Sequence, residues 1–427
     1  MINDLYSLYL ESSGVSTDSR KIVPGSIFFA LKGPNFDANA FAEQALENGA
    51  SYAVIDDRKY KKDSRYIVVP DALKALQQLA NFHRNRMLIP FLAITGSNGK
   101  TTTKELIAAV LLKKYKTAYT RGNLNNHIGT PLTILSIPTD TQVAIIEMGA
   151  NKPGDIEELC KIASPTHGLI TNIGAAHIEG FGSFDGVIKA KSELYHFIAQ
   201  NEGTAFINSQ NPVLFNLAKR FNSPVYYPAK GDFIHVEFVE ADPYVTYRDE
   251  NGTVVKTNLI GSYNFENIAA ALCVGKYFGV PSGLANEAVG EYTPSNNRSQ
   301  LYRTRDNVVL LDAYNANPSS MKAAIENLAS MKSANKAAIL GDMFELGEAS
   351  EREHRKLGEL VASKGFDKVF FCGKNMKCAL EAYPQAFYFE NKTELKDALK
   401  AHGLKDYLIL IKASRGMALE DLLDAIA

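Results

Sequence analysis

The chain of 427 residues contains no tryptophan and only four cysteines, Cys160, Cys273, Cys372 and Cys378. None of these forms a Cys-x-x-Cys pair, which argues against a zinc knuckle or a disulfide framework and for buried free thiols in a reducing compartment. The missing tryptophan excludes nothing by itself. No stretch reaches the roughly 18 uninterrupted apolar residues that a spanning helix needs, so no membrane insertion is expected. The opening segment MINDLYSLYLESSGVSTDSR has no basic leader and no apolar run, so no signal peptide is read there and a cytoplasmic location is expected. An excess of one charge is also lacking: 46 Lys and Arg stand against 47 Asp and Glu, a net charge of −1. That balance gives no support for a nucleic-acid partner or a membrane-surface protein. Repeats and low-complexity tracts are absent. A hydrophobic fraction of 46% and a charged fraction of 22% are ordinary globular usage and exclude wholesale disorder.

At roughly 100–200 residues per domain the length suggests two to four domains, and what is present separates into three textures. Residues 1–86 mix short strands (SIFFAL, YAVID, YIVV) with helical stretches (ANAFAEQALENGA, DALKALQQLANFHRNR), the second apolar at helical spacing from Leu73 to Phe82. Residues 87–294 alternate strands (FLAIT, VAIIEM, HGLITNI) with helices (TTTKELIAAVLLKKY, DIEELCKIA, DGVIKAKSELYHFIA). Such alternation predicts a parallel sheet covered on both faces. Within this region, residues 233–260 read as a β-rich insertion around the Asn251-Gly252 turn. Residues 295–427 carry the strands VVLLDAY, KAAILGD, KVFFCG and YLILIK, again alternating with helices, which predicts a second, smaller Rossmann-like unit.

The segment TGSNGKTTT, residues 95–103, lies between a predicted strand and a predicted helix. Its glycines let the backbone turn so that N–H groups can face phosphate oxygens, and the helix start adds partial positive charge. Gly96, Ser97, Asn98, Gly99 and Thr102 would cradle the phosphates. Lys100 would reach the β- and γ-phosphates, and the Thr101 hydroxyl would ligate magnesium. The common Gly-x-x-x-x-Gly-Lys-Ser/Thr pattern fails literally, because Ile94 occupies the first position. A phosphate loop alone leaves kinases, transporters, switches and ligases open. Glu147 ends the strand VAIIEM, where a carboxylate is well placed to hold magnesium. His177 follows the strand HGLITNI, and Lys191 sits on the next predicted helix. Taken alone, such a loop histidine and helix lysine are most often inert surface residues.

The segments TGSNGKTTTKE, GNLNNHIGTPLT, EMGAN, AHIEGFGSFDGVIKAKSELY, YNANPSSM and GDMFELGE together resemble the Mur ligase family over nearly the whole chain, from TDSR at residue 17 to KASRGM at residue 412. GNLNNHIGTPLT and YNANPSSM are most similar to members that add D-alanyl-D-alanine to UDP-N-acetylmuramoyl-tripeptide. The resemblance implies an α/β enzyme of three domains: an N-terminal UDP-substrate domain, a central ATPase domain and a C-terminal Rossmann-like domain. It implies ATP as cofactor with two magnesium ions, no nucleic acid and a monomer.

Residue by residue, Lys191 matches the lysine that reacts with carbon dioxide to become a carbamate and so helps hold the second magnesium. His177 matches a ligand of that ion and Glu147 the acid of the metal site. Asn264 and Asn267, one helical turn apart, match adenine-side asparagines, with a helix N-cap as the bland alternative for Asn264. Arg298 matches an arginine that reaches the nucleotide phosphates, and Asp312 an aspartate on the ribose. Leu311, Ala313 and Asn297 depart from the residues the family commonly has beside these two. Ser19 and Arg20 are the candidates for the UDP end, Asn125 and Asn126 for the UDP-sugar substrate, and Tyr314, Asn315 and the Ser414–Arg415 segment for the dipeptide. Other amide ligases, adding the third peptide residue or glutamate to folate, stay open as alternatives, as does a P-loop ATPase without ligase chemistry.

Overall fold

The computed structural model describes residues 2–174, 178–294 and 298–426. Its backbone is a succession of α/β units. The first carries a four-stranded parallel sheet in the order Val15–Ser16, Ile27–Phe29, Tyr52–Ile55, Tyr66–Val68. Its last helix, Ala72–Arg84, starts from an Asp71 cap that accepts the Lys74 N–H. The buried face of that helix packs on the helices Gly129–Leu135 and Asp155–Ala163 of the next unit. One continuous apolar core therefore runs from Ile27, Leu76 and Leu79 to Phe91, Ile146 and Leu194. Arg84 fixes this junction: its guanidinium lies 3.8 Å above the Phe91 ring and donates to the carbonyls of Ala163 and Ser164 at 2.9 Å each.

The second unit has six parallel strands in the order Val225–Tyr227, Thr204–Asn208, His167–Ile170, Phe91–Thr95, Val143–Glu147, Thr117–Tyr119. Phe91–Thr95 is buried along its whole length, as expected for a central parallel strand. The chain direction across the sheet reverses on either side of it, which makes its carboxyl end the topological switch point where open α/β sheets bind ligands. Register pairs Ile94 with Glu147 and Thr95 with Ile170, so three strand ends form one rim. The expected β-rich insertion is an antiparallel three-stranded sheet, Glu237–Ala241, Tyr244–Arg248 and Val254–Ile260, with Gly252 at φ +85° in its turn.

The third unit is a six-stranded sheet, parallel except for the edge strand Gln300–Arg303. Separate apolar cores cover its two faces. The edge strand and Phe387–Phe389 carry no clear apolar alternation, and the sequence reading passes over both. The strand HGLITNI is shorter than expected. It ends at Ile170, and residues 171–174 leave the sheet to bond with the phosphate loop.

Candidate active site

Strand Phe91–Thr95 leads through the 96–99 turn into the helix Lys100–Leu112. The turn demands glycine at both ends. Gly96 has φ +149° and a Cβ there would lie 1.9 Å from Thr171 Oγ1; Gly99 has φ +78° and a Cβ would lie 2.5 Å from Asn267 Oδ1. The Asn172 carbonyl accepts the Ser97 N–H at 3.0 Å, and its side-chain oxygen accepts the Asn98 N–H at 3.0 Å. Thr171 Oγ1 donates to the Asn98 carbonyl at 2.6 Å. Two N–H groups of the turn already have partners within the protein. Those of Ser97 and Asn98 are used to zip the turn onto residues 171–174, because two adjacent loops at a switch point must satisfy each other's backbone. Among the described residues, the N–H groups of Gly99, Lys100, Thr101 and Thr102 are free of partners, since the helical ladder begins with the Thr103 N–H to the Gly99 carbonyl.

The Lys100 ammonium folds back on the turn and donates to the Gly96 carbonyl at 2.7 Å. Burial lowers its pKa; the Glu147 carboxylate opposes that effect and Arg298 adds to it. Glu147, buried at the neighbouring strand end, accepts from Thr101 Oγ1 at 3.1 Å and from Asn125 Nδ2 at 2.8 Å, both on Oε1. Its Oε2 is buried without a hydrogen bond, with the Lys104 ammonium 3.6 Å away. One buried carboxylate oxygen beside a threonine hydroxyl is a hard-oxygen donor set of the kind magnesium takes together with phosphate oxygens, so these residues fit that ion. No cluster of three acidic, histidine or cysteine side chains occurs among the described residues. His177 lies outside them.

A cavity of about 580 Å³ opens on this rim and reaches into the third unit. Ser97 to Thr102, Asn125, Glu147, Asn264, Asn267, Arg298, Asp312, Tyr314 and Asn315 all line it. Asn264 opens the helix Asn264–Tyr277 as its first residue, not as its cap; the cap is Tyr263. Asn264 donates to the Ile260 carbonyl at 2.8 Å and accepts from Asn267, which in turn accepts from Thr103 Oγ1 at 2.9 Å. The pair does share a helical face, and it also braces the phosphate turn through Gly99. Arg298 stacks on Tyr314, 3.6 Å from ring centre to guanidinium carbon, and its Nε is buried without a hydrogen bond.

Other expected residues stand apart from the cavity lining. Asn126 spends its side chain on the N–H groups of Ile128 and Gly129 at the start of a helix. Ser19 is buried near Gln44, and Arg20 is exposed and forks onto Asp18 at 2.9 Å. Lys191 is 1% exposed in the helix Phe184–Gln200, with its ammonium 5.4 Å from the Phe181 ring centre. Burial, helped by the nearby Lys100 cation, lowers its pKa to about 7.

Residues that the sequence reading passed over also belong to this site. Lys412, 2% exposed, donates to Asp312 Oδ2 at 2.6 Å and to the Asn315 carbonyl at 3.0 Å. It ends the apolar strand YLILIK, the same strand-end rule that singled out Glu147. Asn317 caps the helix Pro318–Ser330 and reaches Asn98 Oδ1 of the phosphate turn at 2.8 Å, joining the third unit to the second. An Asn-Pro pair at a helix start was the available signal.

A phosphate-binding turn, a strand-end carboxylate and a second sheet closing over both define a P-loop nucleotide-dependent enzyme of several domains. Three family models match in series: the Mur ligase family catalytic domain over residues 11–84, the Mur ligase middle domain over 94–275, and the Mur ligase glutamate ligase domain over 297–415. The UDP-N-acetylmuramoyl-tripeptide–D-alanyl-D-alanine ligase of Bacillus subtilis is 36% identical, covering 96% of this chain and 92% of that protein. Among solved structures, MurF from Acinetobacter baumannii superposes with a TM-score of 0.88 at 30% identity, covering 98% of this chain and 97% of that one. MurF ligase from Thermotoga maritima in complex with ADP gives 0.87 at 26% identity, with the same coverage. The chain belongs to the Mur ligase family.

Proposed function

We propose that the protein is an ATP-dependent amide ligase that joins D-alanyl-D-alanine to UDP-N-acetylmuramoyl-tripeptide, releasing ADP and phosphate. The observation that carries this reading is the single cavity in which Lys100, Thr101, Glu147, Arg298 and Asp312 meet across two units. The near full-length likeness to ligases of that name supports the choice of substrates. In this reading residues 1–86 bind the UDP end, with Ser19 and Arg20 in contact. Residues 87–294 bind ATP, and residues 295–427 bring the dipeptide through Tyr314, Asn315 and the Ser414–Arg415 segment. Asn125 and Asn126 border the path of the UDP-sugar. The chain acts as a monomer in the cytoplasm. That location agrees with its free thiols and with the absence, among the described residues, of a helix long and apolar enough to cross a membrane.

A carboxylate does not condense with an amine unaided, because its oxygen is too poor a leaving group. In the first step a tripeptide carboxylate oxygen forms a bond to the γ-phosphorus and the bond to the ADP oxygen breaks. The amine of the dipeptide then attacks the acyl carbon, loses a proton, and phosphate departs with the oxygen that had been activated. Lys100, the N–H groups of Gly99 to Thr102 and Arg298 offset the repulsion between the two anions and stabilise charge on the transferring group. Asn264 and Asn267 face the adenine and Asp312 the ribose. Thr101, Glu147, His177 and Lys191 would hold two magnesium ions, and such ions would supply Lewis-acid stabilisation of the phosphoryl oxygens.

Lys191 takes part as a carbamate: its neutral amine attacks carbon dioxide and a proton leaves, turning a buried cation site into an anionic oxygen ligand. A pKa near 7 supports this, because only the unprotonated amine reacts, and burial makes that form abundant at neutral pH. Holding the reactants in line can supply about 7–11 kcal/mol of the barrier reduction. The test is an acceptor panel of D-alanyl-D-alanine, meso-diaminopimelate, L-lysine and glutamate with UDP-N-acetylmuramoyl-tripeptide, reading ADP release. Release that depends on D-alanyl-D-alanine is expected. Equal release with another amine, or with none, overturns the reading.

A further inference from the structure

The helix after the phosphate turn carries a second lysine, this one buried, that the reaction scheme does not use. Lys104 stands one helical turn beyond Lys100 and is 1% exposed. Two ammonium groups in the opening turns of a helix sit at the end whose peptide dipoles disfavour cations. A buried lysine of this kind also carries a desolvation cost, and such groups persist where a specific anion compensates them. The Lys104 Nζ lies between two carboxylates, 3.6 Å from Glu147 Oε2 and 3.7 Å from Glu105 Oε1, with the Tyr119 ring centre at 5.9 Å. Both carboxylate distances exceed a hydrogen bond. The ammonium therefore acts on Glu147 through charge and leaves Oε2 open for another ligand. The second oxygen of Glu147 is already held by Thr101 and Asn125. Glu105 has its own partner, the Tyr292 hydroxyl at 2.6 Å.

We infer that Lys104 is a positioning residue: a built-in counter-cation that shares the Glu147 carboxylate with the divalent ion and thereby weakens and tunes metal binding. The physical basis is competition for one anion. At these short separations between buried groups, the fixed ammonium stabilises Glu147 when no metal is present, and it repels a divalent ion when one arrives. Glu105 modulates the effect by drawing part of the Lys104 charge away from Glu147. The arrangement lets the metal leave with its nucleotide after each turnover without stranding a bare buried carboxylate.

This inference deepens the reading of Glu147 as a metal ligand and rests on it. The experiment titrates Mn2+ into the enzyme–ADP complex and follows bound ion by electron paramagnetic resonance in four proteins. In wild type a Glu147-dependent site is expected, and Glu147→Gln weakens Mn2+ binding. Lys104→Met is expected to tighten Mn2+ binding at least about tenfold. That sign is opposite to what general damage to the site produces. Glu105→Gln, which leaves the buried lysine in place, is expected to weaken binding several-fold. Unchanged or weaker binding in Lys104→Met overturns the inference. Should that variant fail to fold, unchanged or tighter binding in Glu105→Gln overturns it alone. Mn2+ binding indifferent to Glu147→Gln overturns instead the assignment of Glu147 as ligand.

Discussion

Lys191→Met tests the buried amine by a route independent of turnover. The lysine is 1% exposed, and the Asp155 and Glu193 carboxylates offset the effect of burial only in part. Its pKa falls from 10.5 to about 7 through burial and the nearby Lys100. At about 1.4 kcal/mol per pH unit this corresponds to roughly 5 kcal/mol of cost for keeping the amine charged in the folded state. The sign follows from proton counts. Below pH 7 both folded and unfolded chains hold the proton, and the folded state bears the full cost. Between about 7 and 10.5 the unfolded chain still holds it while the folded chain has lost it, so stability from this group rises with pH. Above that window the cost is gone. Methionine fills nearly the same volume without a charge. In carbon-dioxide-free buffer, urea unfolding at pH 6 should show the variant about 3–5 kcal/mol more stable than wild type, and the margin should shrink steadily as the pH is raised to 9. Turnover should be lost in the same variant and not restored by bicarbonate. A variant no more stable than wild type at pH 6 would refute the claim that this amine is buried at a charge cost.

Further outcomes follow from the same geometry. Lys100→Ala removes the ammonium aimed along the phosphate turn, and ATP-dependent phosphate release should fall by about a hundredfold or more with the unfolding transition retained. Asn125→Ala takes the 2.8 Å donor from Glu147 Oε1, and metal affinity measured by Mn2+ titration should drop about 10–100-fold while the fold persists. Lys412→Met leaves the Asp312 carboxylate, among the described residues, with the weaker Ser299 donors at 3.2 and 3.4 Å, and urea unfolding should show a loss of about 3–5 kcal/mol that Lys412→Arg partly recovers.

The sequence made legible what depends on period and punctuation. Apolar runs located the central strands, and the Asn251-Gly252 turn located the insertion. The strand–glycine–lysine–helix order located the phosphate turn. What stayed hidden was long-range. Nothing local marks Asn172 as the group that takes up the Ser97 and Asn98 N–H donors, or Asn317 as the bridge to Asn98, because their partners lie 74 to 219 positions away. The edge strand Gln300–Arg303 is half exposed and has no burial pattern to read. Lys191 looks like any solvated helix lysine until the surrounding structure buries it. The spacing of Asn264 and Asn267 puts them on one helical face, yet their bonds to Ile260 and Thr103 depend on packing between elements.

The central claim is that the acid is activated by phosphorylation, and isotope transfer addresses it directly. The UDP-N-acetylmuramoyl-tripeptide is prepared with oxygen-18 in its reacting carboxylate, and one round of ligation is run with ATP and D-alanyl-D-alanine. The account predicts that the inorganic phosphate released carries one labelled oxygen. Phosphate without label, alongside normal amide formation, would contradict it.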